Sequence, residues 1–300
     1  MIDYIKIKVT DSKTIVRLWN NPLLYFYSKN EFLLFDNETI KTRNTKQFNG
    51  ILFELTEHVL YIRFKPHYFF NSNIHNANDF SVKDCIEILK QFSTLFKLET
   101  KYLEVINIEF GLNIIIPDEL ICVKDLLAYT IYHGLNEFRT DRKYIYCKFS
   151  HSSNKRGAAN VYKMVKMYAK GIQFPKNCNK NTLRFEIKSN RKKYINRLDI
   201  YTIEDLLQPQ RYNNLKNVIL KEFDDILIID SFTTPKINKR RLNKHLERLN
   251  PIHWHKLLNR SRNVFKNHFN AYYKDLNTSR THLKAEIRNL IANKLIELQK

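Results

Sequence analysis

YLEVINIEFGLNIII at residues 102–116 decides how this chain is read, with KYIYCKFS (143–150), NVYKMVKMYAKG (160–171) and NTLRFEIKSNRKK (181–193) as its companions. In the first run Ile106, Ile108 and Phe110 fall on one face at period two, and Asn107, Glu109, Gly111 and Asn113 on the other. That second face is too polar for a core. In the last run Leu183, Phe185 and Ile187 oppose Arg184, Glu186 and Lys188, so a second carboxylate stands on the polar side of a strand. Two carboxylates on one sheet face can hold a divalent ion, and their hard oxygens favour Mg2+ or Mn2+ over zinc.

Outward from these runs, residues 1–9 alternate as an edge or pairing strand, and turn signals follow at Asn20–Pro22 and Asp36–Asn37. Ile51–Leu55 and Val59–Phe64 read as a hairpin, and PHYFFNSNIHNANDF (66–80) as an irregular loop. Ser81 caps a helix to about Phe96, and VKDLLAYTIYHGL (123–135) reads as a second helix with Gly134 past its end. YTIEDLL (201–207) is a short capped helix. After SFTTPK (231–236) the chain is basic and helical, and THLKAEIRNLIANKLIELQK (281–300) is amphipathic. The expected fold is α+β: a mainly antiparallel sheet with helices on one face, followed by a basic helical C-terminal region. The expected units are 1–232, holding the central sheet, and 233–300, a basic DNA-binding region. Truncation before residue 236 should then leave the sheet unit folded.

The 300 residues carry a net charge of +21, and 43% of them are hydrophobic, ample for a packed core. Residues 1–150 hold 19 Lys/Arg against 18 Asp/Glu, and residues 151–300 hold 32 against 12. A basic second half is an electrostatic footprint for a polyanion, nucleic acid before membrane surface. Five glycines leave no room for a phosphate-cradling GxxxxGK or GxGxxG loop, which excludes Walker-type nucleotide chemistry. The four cysteines, Cys85, Cys122, Cys147 and Cys178, form no CxxC pair and read as reduced structural thiols. No apolar run approaches membrane-spanning length, and the start alternates like a strand, so the expected location is the cytoplasm.

VINIEFGLNIIIP, then KMYAKGIQFP, then LRFEIKSNRKKYIN and YTIEDLL resemble the rolling-circle replication initiators of phages and plasmids, the group similar to filamentous-phage gene II and gene X proteins. HNANDF at 75–80 and the MIDYIKIK start are similar to the same group, and the likeness spans roughly residues 1–207. It implies an origin-binding endonuclease and ligase that nicks one strand through a phosphotyrosine, acting on single-stranded or supercoiled DNA. A host helicase and a second copy of the chain are further candidate partners. The family's motifs fall on Glu109, on Tyr168 and Lys170, and on Glu186. Many members carry an aspartate where this chain has Ala169. His253-Trp254-His255 imitates a His-hydrophobic-His metal motif, but in a helix-like segment two such rings diverge, so a surface role is the better reading.

Breaking a phosphodiester needs a nucleophile, neutralisation of charge and a stabilised leaving oxygen, which a tyrosine, a divalent ion and a lysine supply. Glu109 and Glu186 are the metal candidates, with His151 as a third. A nucleophilic tyrosine must sit on the polar face near a cation. Tyr146 is preferred, sharing a face with Tyr144 and Lys148; Tyr162 follows, on the face of Lys166, Tyr168 and Lys170; Tyr272 and Tyr273 come last. Lys166, Arg184, Arg191, Lys192 and Lys193, with Arg240, Arg241 and Lys244 in the basic helices, are the candidate nucleic-acid contacts. The alternative reading is a DNA-binding replication or regulatory protein without chemistry. In either case DNA affinity should fall steeply with salt, by roughly 10³–10⁵ between about 50 and 200 mM for about 6–10 phosphate contacts. Filter-binding across that range checks this, and a flat profile would remove the nucleic-acid reading.

Overall fold

The computed structural model describes residues 1–33, 40–153 and 159–300, and their side chains except at 31–33, 40–42, 153, 159 and 161. The turn expected at Asp36–Asn37 lies outside the described residues. The strands are β1 (Ile2–Val9), β2 (Tyr25–Leu33), β3 (Ile40–Phe48), β4 (Ile51–Leu55), β5 (Leu60–Phe64), β6 (Glu104–Ile115), β7 (Thr130–His133), β8 (Asn136–Glu137), β9 (Arg139–Thr140), β10 (Cys147–Ser153), β11 (Ala159–Ala169), β12 (Thr182–Ser189) and β13 (Ile226–Ile228). The helices are α1 (Ser12–Trp19), α2 (Pro66–Phe70), α3 (Val82–Leu95), α4 (Val123–Tyr129), α5 (Lys170–Gln173), α6 (Lys192–Asn196), α7 (Ile203–Leu206), α8 (Pro209–Asp224), α9 (Lys239–Arg248), α10 (Pro251–Arg260), α11 (Arg262–Leu276) and α12 (Leu283–Glu297).

Ten strands form one antiparallel sheet in the order β2-β3-β4-β5-β1-β6-β12-β11-β10-β9. The fold is therefore α+β, with the sheet at its centre. β1 is no edge strand: it pairs with β5 on one side and β6 on the other. Its Ile2, Ile5, Ile7 and Val9 are wholly buried, the signature of a strand covered by helices on its apolar face. That cover is α3, α8 and α12, whose apolar stripes join Val105, Ile108, Phe110, Phe185 and Ile187 in one cluster.

Period-two reading of 104–115 breaks at one place. The β1–β6 register shifts between Lys6 and Ile7, pairing Lys6 with Asn107 and Ile7 with Val105. Ile106 is the extra residue of that bulge, so Val105 instead faces the core with Ile108 and Phe110. A second shift, between Ile2 and Tyr4, leaves Asp3 as the extra residue of β1.

Two sequence expectations change. The helix expected over 123–135 stops at Tyr129, because Thr130, Ile131 and Tyr132 are β-branched or aromatic, and Thr130, Tyr132 and His133 pair with β13. Gly134, at φ +55°, then makes the β7–β8 turn. Within the loop expected at 66–80, Pro66 opens the short helix α2. Ser81 and Asp84 form the capping box of α3, as the S-x-x-D spacing implies.

After β13 the chain divides. Trp254, Leu257, Phe265, Tyr272 and Leu276 of α10 and α11 build a second apolar cluster with Tyr132, Leu227 and Ile229. α12 returns to the main core, placing Leu283, Ile287, Ile291 and Leu295 against β6 and α8. No helix among the described residues is long and apolar enough to cross a membrane. Because Ile287 is wholly buried there, Ile287→Ala should cost about 2–5 kcal/mol in urea unfolding. A chain ending before residue 236 loses the whole α12 face, and is expected to lose the sheet's cooperative transition in the same assay.

Candidate functional site

On the sheet face away from the helices, β1, β6, β12 and β11 bring Asp3, Glu109, Glu186, Arg184, Lys188, Lys166 and Tyr168 together. Register explains the grouping: Lys166 lies opposite Glu186, Glu186 opposite Gly111, Lys188 opposite Glu109, and Arg184 opposite Asn113. Gly111 is required by close approach. A Cβ there would come within 2.2 Å of the Phe185 carbonyl oxygen and 2.7 Å of the Glu186 Cα, so any side chain would push β12 away from β6.

The polar contacts are dense. Lys166 Nζ donates to Glu109 Oε1 and to Glu186 Oε1, both at 2.8 Å. Lys188 Nζ pairs with Glu109 Oε2 at 3.2 Å. The Tyr168 hydroxyl donates to Glu186 Oε2 at 3.1 Å, and Arg184 Nε reaches the same oxygen at 3.5 Å. Arg184, only 2% exposed, also donates to Asp3 and to Asn113 Oδ1. Asp3 Oδ1 meets His67 Nδ1 at 3.1 Å, and the other ring nitrogen meets Asn78 Oδ1. Behind them, the Asn113 amide donates to the carbonyls of Asn76 and Asn78, tying the 75–80 segment to β6.

Burial and neighbouring charge separate the two glutamates. Burial, then the Glu109 charge, push Glu186 up to about 7. Burial opposes ionisation of Glu109 too, but its hydrogen bond with Glu186 and the charges of Lys166 and Lys188 outweigh that and hold it at about 2. Burial likewise works against an Asp3 carboxylate, and Arg184 with His67 overcomes it, keeping Asp3 well below the usual range. Burial drives the Tyr168 hydroxyl well above its ordinary value, followed by the Glu186 charge. Lys170 opens α5 and is buried; desolvation and then Arg184 bring it down to about 8. Its Nζ donates to Asn76 Oδ1 and to Gln173 Oε1, and lies 4.6 Å from the Phe174 ring centre.

Asp3, Glu109, Glu186, Lys166, Lys188, Tyr168 and Lys170 line a cavity of about 790 Å³, with Arg184 buried behind them. Tyr4, Tyr27, Gln47, Arg63, Lys65, Tyr68, Asn76, Lys143 and Tyr144 line it as well. Tyr27 is 57% exposed and follows the exposed Tyr25 and Phe26 on β2. Sequence reasoning missed Asp3, Asn76, Tyr27, Tyr144 and Lys188. An aspartate inside an Ile-rich strand and the HNANDF asparagines were the available signals.

Of the residues singled out from sequence, Glu109, Glu186, Lys166, Tyr168 and Lys170 share this cavity. Others are placed elsewhere. Tyr146 packs against the main apolar cluster with the Lys124 ammonium 5.1 Å over its ring. Its ring stands edge-on to that of Tyr144, centroids 5.9 Å apart, but the two do not share a strand face: Asp141 holds a turn through the Lys143 and Tyr144 amides and β10 begins only at Cys147. Tyr162 accepts a hydrogen bond from Arg197 at 2.8 Å and stands edge-on to Tyr194. His151 lies in β10, stacked on Phe149 and bonded to the Ser152 carbonyl. Tyr272 and Tyr273 accept from the backbone of Asp230 and Ile228. Arg184 is buried among carboxylates, where a nucleic-acid phosphate cannot reach it. Arg191, Lys192 and Lys193 are exposed at the start of α6, with Lys192 paired to Glu104. Arg240, Arg241 and Lys244 are exposed on α9, where Arg241 and Lys244 border a cavity of about 220 Å³ with Arg248 and Lys274. His253 and His255 sit on helix α10, and His253 meets His268, not its near neighbour.

On the helix side of the sheet, His133, Glu222 and Asp225 offer ligand atoms within 4.8 Å of one another. There Lys163 Nζ already donates to both Glu222 oxygens, at 2.7 and 2.6 Å.

The raised Glu186 binds its proton more tightly folded than unfolded, so its contribution to stability is full below about 4.5 and lost as pH rises through about 7. The stability of Glu186→Gln relative to wild type should therefore rise across that window, by on the order of 2–3 kcal/mol. Urea unfolding of both proteins between pH 4 and 8 checks it; a constant difference would show that Glu186 is an ordinary carboxylate.

No protein-family model matches the chain, and no curated protein matches it in sequence. Among solved structures it is similar to that of a rolling circle replication initiator protein from Geobacillus stearothermophilus, with a TM-score of 0.41 and 7% identity over 84% of this chain and 96% of that one.

Proposed function

We propose that this chain is a replication initiation protein that binds origin DNA and nicks one strand through a tyrosine, starting rolling-circle replication from a phage or plasmid origin in the bacterial cytoplasm. The observation that carries the reading is the convergence of Glu109, Glu186, Tyr168, Lys166 and Lys170 in one cavity of a chain with net charge +21.

Tyr168 is the tyrosine whose hydroxyl is bonded to a carboxylate, and it replaces Tyr146 and Tyr162 as the preferred nucleophile. Its raised value makes a free phenolate rare, so Glu186, whose Oε2 already accepts the hydroxyl, takes the proton as the Tyr168 oxygen attacks phosphorus. The new Tyr168 Oη–P bond replaces the P–O3′ bond, and the leaving 3′ oxygen takes a proton from Lys170, whose value near 8 suits that transfer. The phosphotyrosine conserves the bond for rejoining. The donor chemistry of Glu109 and Glu186, hard oxygens on adjacent strands, fits Mg2+ or Mn2+, which when bound would supply positive charge to the phosphate. The exposed Tyr25, Phe26 and Tyr27 suit base stacking of a single strand entering the cavity. Arg191, Lys193, Arg240 and Lys244 would hold the backbone.

A DNA-binding regulator without chemistry is the second reading, favoured by the pairing of both oxygens of each glutamate with protein donors. Supercoiled plasmid carrying the candidate origin, incubated with protein and Mg2+ or Mn2+, separates the two. The expected product is an open circle with protein on one 5′ end, and peptide mapping should find the adduct on Tyr168. Tyr168→Phe should lower nicking by at least about 10²-fold with binding retained. Full nicking by that variant would move the assignment to Tyr27 or Tyr144, and plasmid left intact by wild type would favour the regulator.

A further inference from the structure

We propose that Lys166 is the resident cation of this centre: in the DNA-free protein its ammonium fills the place between Glu109 and Glu186 that a divalent ion would take, and an ion enters only when Lys166 moves out. The inference rests on the nicking reading for its purpose, and on geometry for its substance.

One ammonium contacts an oxygen of each glutamate at 2.8 Å, the arrangement a bridging cation adopts between two carboxylates. The remaining oxygens are held by Lys188, and by Tyr168 with Arg184. Entry of an ion therefore requires a donor to leave. Arg184 cannot leave easily, since it is buried and also holds Asp3. Lys166 can, because its side chain is 23% exposed while those of Glu109 and Glu186 are 12% and 3% exposed, so the ammonium reaches in from the cavity side. Its four-carbon stem swings without disturbing β11, whose backbone stays paired with β12.

Charge points the same way. With Glu186 ionised, the form that would bind a metal, Asp3, Glu109 and Glu186 are balanced by Arg184, Lys166 and Lys188, the cations in direct contact with them. Adding a divalent ion to that set would leave two surplus positive charges in a mostly buried site, which is costly. Exchanging Lys166 for the ion leaves one, and a single DNA phosphate cancels it. The displaced ammonium then faces the cavity, where it can pair with the same strand. Metal and DNA should therefore bind together, each poorly without the other.

The test measures Mn2+ bound to the DNA-free protein by the loss of the free-ion electron paramagnetic resonance signal. Lys166→Met, which keeps the stem and removes the charge, should bind Mn2+ at least about tenfold more tightly than wild type, whereas Lys166→Arg should match wild type. Glu109→Gln added to Lys166→Met should abolish the gain. Equal Mn2+ affinity in folded Lys166→Met and wild type would overturn the proposal. Should Lys166→Met fail to fold, reductive methylation of wild-type protein read by mass spectrometry decides: millimolar Mn2+ should raise labelling of Lys166 and leave the exposed Lys90 of α3 unchanged, and unchanged labelling of Lys166 would overturn it. Plasmid nicking scored on the same preparations keeps the two readings apart. Nicking by wild type without a Mn2+ gain in the variant removes the resident cation alone; a Mn2+ gain without nicking removes the enzyme alone.

Discussion

Three carboxylates occupy one buried stretch of sheet face, and the centre holds together because three cations meet them there. Removing one partner from such a set leaves an uncompensated charge, a loss of several kcal/mol that neighbouring packing cannot recover. Arg184 is the pivot, spanning Asp3 of β1, Asn113 of β6 and Glu186 of β12. Lys166 extends the set to β11. Four strands are thereby locked in register by side chains as well as by their backbone ladders, and a one-residue slip would separate every pair.

This lock has a steric precondition. The strand pair β6–β12 can place Glu186 over residue 111 only because that residue is glycine, the neighbouring backbone lying where a Cβ would be. The bulge at Asp3 is the counterpart on the other side, turning an extra residue of β1 toward Arg184. Bulges re-aim side chains beside functional sites, and here the re-aimed group is a carboxylate. Site and fold thus draw on the same residues: the face that carries the charged cluster is built from the polar half of the strands whose apolar half makes the core.

The C-terminal third shows how charge and packing part company. α9 to α11 carry basic side chains on a satellite apolar cluster, whereas α12 buries its aliphatic stripe in the main core. The basic surface is therefore anchored from both ends, by β13 and by α12, instead of hanging from a linker. Such anchoring fixes where the basic surface lies relative to the sheet.

Much of this was legible in the residues. Alternation in 104–115 and 182–189 specified two-faced strands, because side chains of an extended chain must point to opposite sides. The α+β class, the 51–64 hairpin, the Ser81 cap and the pairing of Glu109 with Glu186 on one face all follow from such local rules. Tertiary structure decided the rest. Which tyrosine stands beside the carboxylates depended on a turn at Asp141 that breaks the parity of 143–150, and parity cannot see a turn. Thr130–His133 became a strand because β13 offered it a ladder, a partner nearly a hundred residues away. Asp3 and Asn76 entered the centre through a bulge and a loop, neither of which has a period. Above all, the sequence carries the charges of Glu109, Glu186 and Lys166 without saying that one ammonium sits between the other two, since that depends on strand order, and strand order is a property of the whole sheet.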